Sequence, residues 1–514
     1  MKTLADFGAK IDGQTDDLAA LNSYIAYYQG LVSELPAGIQ GTGFIFVDMP
    51  PGVMLISAPP DDTGKYNLMI RGAGQGVSII KMESGASGLW IHGTTTSPAT
   101  GILQIRDISF LDGNASGTGV AAIQCSFSEN STSSVNTLTL DNVEFRSFTT
   151  CMKITDMPRN CYATNVLCYG PDNTFQAGGA FEISSTASSA FGNFTWVWTR
   201  VMVTNYKWGW DYQSITPMEG HRWYSCTCYN GWGMIRAAIQ NTANGYAEDA
   251  YQAPIWYIND CDWQGLGFAL DLYNARNVII RGGFYFCNAM SSDPVSGDTI
   301  PNDPRGNARD HRSVMAFYSC GNITLDNVEF DNGGDSMIAT DTFVYVANDV
   351  TYFRAFNTVF LAPIATAGAF EYEAGGANNR CGAFDTQWVA FGGSTKILDH
   401  DDTQMNQEAV FDPQTSRYYG NQDRTGLYRI HNIVPALVSD SQNRVTITFP
   451  TRPSGHQIFN GGTPVVTVHP LNGSDNSAAP AVTLVNVTNE GFTYEYQGEG
   501  GGYQADVHYT ATGF

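Results

Sequence analysis

One eight-residue segment occurs twice in the chain, and this repetition limits the possible folds more than any other feature. Leu138–Phe145 reads LTLDNVEF and Ile323–Phe330 reads ITLDNVEF. Looser copies, in which apolar and polar residues alternate on both sides of a bend, lie at residues 102–110, 160–168, 255–263 and 354–361. Self-similarity of a few tens of residues is typical of a solenoid, in which each repeat stacks on its neighbours.

The apolar residue just after each bend serves as a marker of the repeat. The markers are Ile108, Val143, Val166, Val201, Cys226, Cys261, Phe284, Val328 and Val359. A further alternating segment, such as AFEIS or GFALDLY, precedes most of them. Each repeat therefore has about three short strands, which predicts an all-β chain folded as a parallel β-helix with insertions on its surface.

The two ends of the chain have different patterns. Leu18, Leu21 and Ile25 have helical spacing after Thr15, which predicts a short capping helix within residues 1–35. We expect the β-helix at 36–395 and a connector at 396–430. The segments VTITF, PVVTVHP, AVTLVNV and FTYEY alternate cleanly in residues 431–514, and we expect an antiparallel β-sandwich there.

The charge of the chain excludes several classes of function. Twenty-six basic and 49 acidic residues give a net charge of −23, which disfavours binding to nucleic acid or to anionic membranes. No run of residues is apolar enough for membrane insertion, and the first ten residues lack the apolar core of a signal peptide. We expect synthesis in the cytoplasm, and buried free thiols for most of the 10 cysteines.

The opening segment FGAKIDGQTDDLAAL resembles the entry motif of the pectate-lyase-like superfamily of right-handed parallel β-helices. Phage tailspikes and capsule depolymerases often carry this motif. The resemblance is close over the first 25 residues and loose to about residue 395. It implies that Asp12, Asp16 and Asp17 build the cap of the helix and are structural.

The resemblance also implies a function. We expect a homotrimeric phage tailspike, located in the virion, that binds and depolymerises bacterial surface polysaccharide: capsule, O-antigen or exopolysaccharide. The C-terminal domain would serve in trimerisation or receptor binding, and the protein would attach to the phage tail or to another adhesin. We expect no cofactor and no metal.

Stacking of the coils predicts one candidate catalytic column. On the strand that begins each coil, the outward positions are Lys153, Glu182, Asp211, Arg236 or Ala238, and Asp271. Neighbouring coils lie about 4.8 Å apart, so the separations of Glu182, Asp211 and Asp271 bracket those of the carboxyl pairs in retaining and inverting glycosidases. The sequence therefore predicts a glycoside hydrolase with an Asp/Glu pair.

A second column follows the bend of each coil and is the rival site. It contains Glu144, Thr227, Asp262, Tyr285 and Glu329, with Arg281 and Asp326 just before the bend. Asp262 is its candidate catalytic residue. The insertion at residues 288–313 could lean over either column or into a neighbouring subunit.

Eight of the 10 tryptophans lie between residues 196 and 263, which predicts a glycan-binding zone. About half of them are expected in the core. The candidate substrate-binding residues are Trp208, Trp232, Tyr273, Arg236, Arg281 and Tyr285.

Two alternatives stay open at this point. A polysaccharide lyase needs a base and a cation near a uronate, and Arg281 with Tyr285, or His221 with Arg222, would supply them. A non-catalytic glycan-binding adhesin would use the same scaffold without a paired acid and base.

Overall fold

The chain divides into two compact units, residues 1–321 and 322–514, in a computed structural model. The structure describes residues 2–35, 43–62, 64, 66–83, 89–94, 99, 101–113, 121–127, 136–155, 160–171, 178–184, 195–213, 220–238, 255–265, 267–287, 302–304, 306–307, 313–331, 342–347, 350, 352–362, 368–372, 380–384, 387–390, 396–399, 410–412, 417–419, 421–422, 428–438, 444–449, 463–470, 482–496 and 504–513.

The first unit begins with the capping helix that the apolar spacing predicts. A short 3-10 helix, Leu4–Phe7, precedes a strand, Asp12–Asp16, and the α-helix Leu18–Ser33. Leu21, Tyr24 and Ile25 are buried on one side of this helix. The helix therefore covers the apolar end of the first coil, where an open strand edge would otherwise invite pairing with another chain.

The aspartates of the opening motif hold this cap together. Asp17 is buried and accepts hydrogen bonds from the backbone N–H groups of Lys10 at 2.7 Å and Ile11 at 2.9 Å. Asp16 accepts from the hydroxyl of Ser57 at 2.6 Å. The backbone N–H groups of Thr15 and Gln14 donate to Asp12 and lower its pKa. The structural role expected of Asp12, Asp16 and Asp17 is confirmed.

Each coil of the first unit contributes to three sets of parallel strands, which we name sheets 1, 2 and 3 in the order of the chain. Sheet 1 consists of Trp90–His92, Ala121–Ser126, Thr150–Thr155, Gly179–Ser184, Trp208–Gln213, Gly233–Ala238, Phe268–Tyr273 and Ser313–Tyr318. Sheet 2 contains Phe44–Asp48, Asn67–Arg71, Thr195–Thr199, His221–Tyr224, Trp256–Asn259 and Arg276–Arg281. Sheet 3 contains Asp12–Asp16, Gly52–Ile56, Ser78–Met82, Met202–Thr204, Thr227–Tyr229, Asp262–Gly265 and Phe284–Cys287.

Three long strands bend from sheet 2 into sheet 3: Leu103–Asp112, Thr137–Arg146 and Asn160–Tyr169. At these three bends, and at the corresponding bends of four later coils, a residue has a left-handed backbone. These residues are Asp107, Asn142, Asn165, Arg200, Ser225, Asp260 and Gly282, with φ between 49° and 64°. Asn, Asp and Gly adopt this conformation at least cost, and they occupy five of the seven bends. The bend that the repeat predicted is confirmed, and with it the parallel β-helix.

Apolar side chains of the three sheets stack along the interior. Phe110 and Phe145, from neighbouring coils, stack with ring centroids 5.4 Å apart. Further along, Trp198, Trp210 and Trp223 are fully buried and contact one another edge to face. Among the described cysteines, those at positions 125, 151, 161, 168, 226, 228, 261 and 320 are free and buried.

The second unit, described by itself, also contains three sets of parallel strands. They are Thr342–Val346, Gly368–Tyr372 and Lys396–Asp399; Gly321–Asp326, Tyr352–Phe356 and Arg380–Phe384; and Glu329–Asp331, Val359–Ala362 and Gln387–Ala390. Asn327 and Asn357 have the left-handed backbone of the bends.

Antiparallel strands follow in the C-terminal part. One sheet contains Asn421–Gln422, Tyr428–Val438, Gln504–Gly513 and Val465–Pro470, and another contains Arg444–Thr448, Gly491–Tyr496 and Val482–Val487. Val410–Asp412 pairs with Arg417–Tyr419. Phe492 of one sheet and Tyr509 of the other lie 4.8 Å apart in one buried cluster. These contacts are those that a sandwich makes, and the complete sandwich stays a prediction.

The helix that the structure describes, Leu18–Ser33, is too short to span a membrane, and no other described segment is a longer apolar helix.

Candidate active site

The outward column of sheet 1 has the register that coil stacking predicted. In-register strand pairing joins, in order, Gln124, Lys153, Glu182, Asp211, Arg236, Asp271 and Ala316. The sequence left open whether Arg236 or Ala238 belongs to the column. Arg236 does, because Ala238 pairs with Tyr273. The alternating apolar residues of each strand fix this register, because a shift by one residue would expose the core.

Asp211 is a buried carboxyl group of this column whose pKa is raised. Only 6% of its surface is exposed, and burial raises its pKa against the opposing field of the Arg236 guanidinium. The Nε2 atom of Gln213 donates a 2.7 Å hydrogen bond to Oδ2 of Asp211. The other carboxyl oxygen, Oδ1, is buried and has no hydrogen-bond partner among the described residues.

Glu182 lies beside Asp211 and is half-buried. The hydroxyl of Thr150 donates to its Oε1 atom at 3.1 Å. Gly178 lies against this carboxylate, since a Cβ atom there would come within 2.1 Å of Oε1. Glu182 raises the pKa of Asp211 further, although less than burial does.

Arg236 lies on the other side of Asp211 and contacts the long insertion. Its Nη2 atom donates to the backbone oxygen of Asp303 at 3.4 Å. Asp303 closes a turn with Gly306 and Asn307 through 2.9 Å hydrogen bonds. Within its described residues, the insertion at 288–313 therefore contacts the first column, which is one of the three placements expected from the sequence.

Asp271 follows Arg236 in the column and is completely buried. Tyr273, two residues further along the same strand, is half-buried and points to the same face by alternation. Tyr273 therefore stays a candidate for substrate contact.

Asp262 is not part of this group, because it lies on sheet 3 and pairs with Thr227. It is half-buried and its Oδ1 atom accepts a 3.2 Å hydrogen bond from the backbone of Phe284. Glu144, another member of the rival column, is buried and forms an ion pair with Arg146 at 2.6 Å. In the rival column Glu144 thus has a structural partner, and the residue paired with Asp262 on the preceding coil is a threonine.

The predicted position of Tyr285 in that column is wrong. Trp263 pairs with Tyr285, so Tyr285 points inward, and it is completely buried. The bend before it contains Gly282 and Gly283, both with positive φ, which shifts the register by one residue. A Cβ atom on Gly283 would come within 2.1 Å of the Cys261 oxygen, so only glycine fits there.

Trp208 and Trp232 are also corrected as sugar contacts. Both side chains are at most 1% exposed, as are all eight tryptophans of the cluster. The ring of Trp208 lies against Gly233, where a Cβ atom would come within 1.9 Å of it, and 5.5 Å from the guanidinium carbon of Arg236. Trp208 therefore supports Arg236 from below, and the tryptophan cluster belongs to the core.

The two pairs considered for lyase chemistry are not brought together at the surface. His221 is completely buried between aromatic rings, and burial lowers its pKa to about 3. Arg281 is exposed at the end of a sheet 2 strand, whereas Tyr285 is in the interior. Neither Tyr285 nor His221 is accessible as a base.

Gln213 is the polar residue of the site that the sequence reasoning missed. It lies two positions after Asp211 on one strand, so alternation alone places both side chains on one face. The same rule applied to every polar residue of the strand, and not only to carboxylates, would have found it.

Residues 3–232 match the family described as rhamnogalacturonase A/epimerase, pectate lyase-like. They form a pectate-lyase-like domain. The resemblance seen in the opening motif is thus confirmed over those residues, which include Glu182 and Asp211. No curated protein sequence matches the chain.

Several solved structures are similar to the chain. The A-module of mannuronan C-5 epimerase AlgE6 from Azotobacter vinelandii is 13% identical over 79% of this chain and 99% of the module, with a TM-score of 0.44. The tailspike gp49 of Pseudomonas phage LKA1 is 10% identical over 100% of this chain and 99% of its own, with a TM-score of 0.39. The catalytic unit of a GH87 α-1,3-glucanase from Streptomyces thermodiastaticus is 14% identical over 78% and 69%, with a TM-score of 0.41.

The outward column of sheet 1 places an acid, Asp211, next to a second carboxyl group, Glu182. A buried carboxyl group with a raised pKa stays protonated at higher pH than an ordinary one and is suited to donate a proton. By strand spacing, the Cα atom of Glu182 lies about 4.8 Å from that of Asp211, and the Cα atom of Asp271 lies about 10 Å from it.

We expect Asp211→Asn to stabilise the pectate-lyase-like domain increasingly as the pH rises. Since burial raises the pKa of Asp211, the folded chain holds a proton that the unfolded chain releases. This contribution to stability is present below the unfolded pKa and is lost as the pH rises through the folded pKa. The melting temperatures of variant and wild type, measured from acidic to neutral pH, give the difference. Asp262→Asn is the matched control, and a difference for Asp211→Asn that does not grow with pH relative to that control contradicts the expectation.

Proposed function

We propose that the protein is a polysaccharide-cleaving glycoside hydrolase. The observation that carries this proposal is the buried Asp211, whose pKa is raised by burial and which stands in register between Glu182 and Arg236. The family description of residues 3–232, which names a rhamnogalacturonase, supports the same class of substrate.

In the proposed reaction, Asp211 is the general acid that protonates the leaving glycosidic oxygen. Glu182 is its partner, because it is half-buried and adjacent, whereas Asp271 is completely covered. A separation of about 5 Å between neighbouring strands favours a retaining mechanism, in which Glu182 attacks the anomeric carbon. Arg236 would stabilise the carboxylate that Asp211 becomes after the proton leaves.

We propose a neutral or weakly acidic bacterial surface glycan as the substrate. The net charge of −23 opposes a densely anionic polymer. The opening motif, which resembles that of phage tailspikes, supports a place in a phage tail that acts at the bacterial surface.

Asp211→Asn and Glu182→Gln should each lower the rate of reducing-end release by roughly 100-fold or more, the usual contribution of a general acid or nucleophile. The probes are purified capsules, O-antigens and exopolysaccharides of neutral or weakly acidic composition, together with rhamnogalacturonan. Asp262→Asn, on sheet 3, is the matched control and should retain the wild-type rate.

Each other outcome of this experiment contradicts a definite part of the proposal. Unchanged turnover in both sheet 1 variants rejects the catalytic assignment. If the products show the ultraviolet absorption of an unsaturated uronate, the reaction is that of a lyase and not hydrolysis. Binding of a glycan by the wild type, without release of any fragment, rejects an enzyme in favour of an adhesin.

We also propose that three copies associate through edge strands of the C-terminal part. Val465 is 74% exposed, Leu484 38% and Val485 44%, and their strands stand at the ends of their sheets among the described strands. Neither Val465–Pro470 nor Val482–Val487 contains Asp, Glu, Lys or Arg, so copies with a charge of −23 each would meet there with little repulsion.

Light scattering of the full chain should give the mass of three copies. The double change Leu484→Asp and Val485→Asp should give the mass of one, because it places charge on an apolar edge. Thr448→Asp, on the strand at the other end of the same sheet, should leave the trimer intact. A wild-type mass of one copy contradicts the proposed association.

A further inference from the structure

The outward face of sheet 2 changes its charge along the first unit. On the early coils each exposed arginine has an acid beside it. Arg71 forms an ion pair with Asp48 at 2.9 Å, and Arg106 forms one with Asp141 at 3.1 Å. The later strand segments of sheet 2 contain no Asp or Glu; they are residues 160–164, 195–199, 221–224, 256–259 and 276–281. These strands therefore form an acid-free surface on a chain whose net charge is −23.

Arg222 is exposed in the middle of this surface. Its in-register neighbours are Val197 on the coil before and Tyr257 on the coil after, so no acid stands beside it in the way that pairs the earlier arginines. Among the residues that the structure describes, no carboxylate forms an ion pair with Arg222. Its guanidinium group therefore has its hydrogen-bond donors available to a ligand.

Three tyrosines lie on the same face as this guanidinium group. Tyr257 follows Arg222 in register, and its ring centroid is 5.8 Å from that of Tyr224, with the rings tilted by 54°. Tyr224 lies two residues after Arg222 on one strand, so alternation places both on one face. Tyr162 is 41% exposed and stands two coils before Arg222 in the same column, about 10 Å away by strand spacing. We name Tyr162, Arg222, Tyr224 and Tyr257 the tyrosine patch.

The side chains of the tyrosine patch are suited to an acidic sugar. Tyrosine rings cover the apolar C–H faces of sugars, while their hydroxyl groups reach polar atoms. A guanidinium group binds a carboxylate through two parallel hydrogen bonds. One unpaired guanidinium group among aromatic rings fits the spaced carboxylates of a weakly acidic glycan. A nucleic acid has a phosphate at every nucleotide and would be repelled by the net charge of −23.

We propose that the tyrosine patch is a second glycan-binding site for a carboxylate-bearing sugar. Arg222 binds the carboxylate, and Tyr224 and Tyr257 contact the sugar ring. The patch lies on sheet 2, whereas the column that contains Glu182 lies on sheet 1. Binding there breaks no bond, so this inference goes beyond the proposed hydrolysis and does not rest on it. Its effect would be to hold an acidic polysaccharide against the protein.

Calorimetric titration of the full chain tests this proposal. The acidic probe is a set of rhamnogalacturonan oligosaccharides, which have a carboxylate on alternate sugars, and the neutral probe is the same set after reduction of the carboxyl groups. All proteins also carry Glu182→Gln, so that cleavage does not disturb the titration. Arg222→Gln should weaken the binding of the acidic probe at one site tenfold or more, roughly the effect of losing a charge-assisted hydrogen bond, and should leave the neutral probe unaffected.

Two further variants separate the roles of charge and ring. Tyr224→Ala should weaken the binding of both probes, because it removes a contact with the sugar ring. Arg106→Gln is the matched control, since this exposed arginine of sheet 2 is already paired with Asp141, and it should leave both affinities unchanged.

The remaining outcomes decide between this site and its rivals. Absence of binding of the acidic probe, or binding that Arg222→Gln leaves unchanged, overturns the inference and leaves the proposed hydrolysis untouched. Binding that depends on Arg222, in a protein whose wild type cleaves none of the polysaccharide probes, supports the inference and rejects the hydrolysis. Tighter binding of a single-stranded DNA oligonucleotide than of the acidic probe overturns the inference in favour of a nucleic acid. A lower mass of Arg222→Gln than of the wild type in light scattering overturns it in favour of a contact between copies.

Discussion

The left-handed residue at the bend between sheets 2 and 3 is the constraint on which the rest of the first unit depends. This one residue turns the chain from sheet 2 into sheet 3. The strand that follows sheet 3 then begins the next coil on sheet 1, in register with the strand before it. Asn142 donates to the side chain of Asp107 on the preceding coil at 2.8 Å, which links successive bends. Because backbone hydrogen bonds then pair each strand with the next, every residue on one coil has a fixed neighbour one strand spacing away.

This fixed spacing brings together charged side chains that are far apart in the sequence. Glu182, Asp211, Arg236 and Asp271 come from four coils and form one column. The tryptophans beneath them fill the interior. Close packing of this kind leaves the strands that carry the charged groups little room to shift. Burial of Asp211 within this column raises the pKa of its carboxyl group, which suits that group to act as an acid.

Much of the fold and of this column could be predicted from the sequence, because both follow from alternation and stacking. The capping helix, the bends and the register from Lys153 to Asp271 followed from the spacing of apolar residues, apart from the choice between Arg236 and Ala238. The structural role of Asp17 came from the resemblance of the opening motif to that of other β-helices. The register failed at Tyr285, where Gly282 and Gly283 lengthen the bend and glycine carries no apolar signal. Alternation says which face a side chain points to, and nothing of what covers that face.

The tryptophans show the second limit. Trp208 and Trp232 occur at strand ends, where sequence patterns favour exposure, yet both are buried, and Trp208 packs under Arg236. The contact between Arg236 and the insertion is made by the backbone oxygen of Asp303, which no side-chain pattern encodes. The carboxylates were predicted from their residue type. Alternation also places Gln213 on their face, and the structure adds its hydrogen bond to Asp211.

The most direct test of the account is a crystal structure of the Asp211→Asn variant with an oligosaccharide released by the wild-type protein. The account predicts that the sugar lies across the outward column of sheet 1, with a glycosidic oxygen beside the side chain at position 211 and an anomeric carbon facing Glu182. Oligosaccharide bound only elsewhere on the chain, without contact to this column, would contradict it.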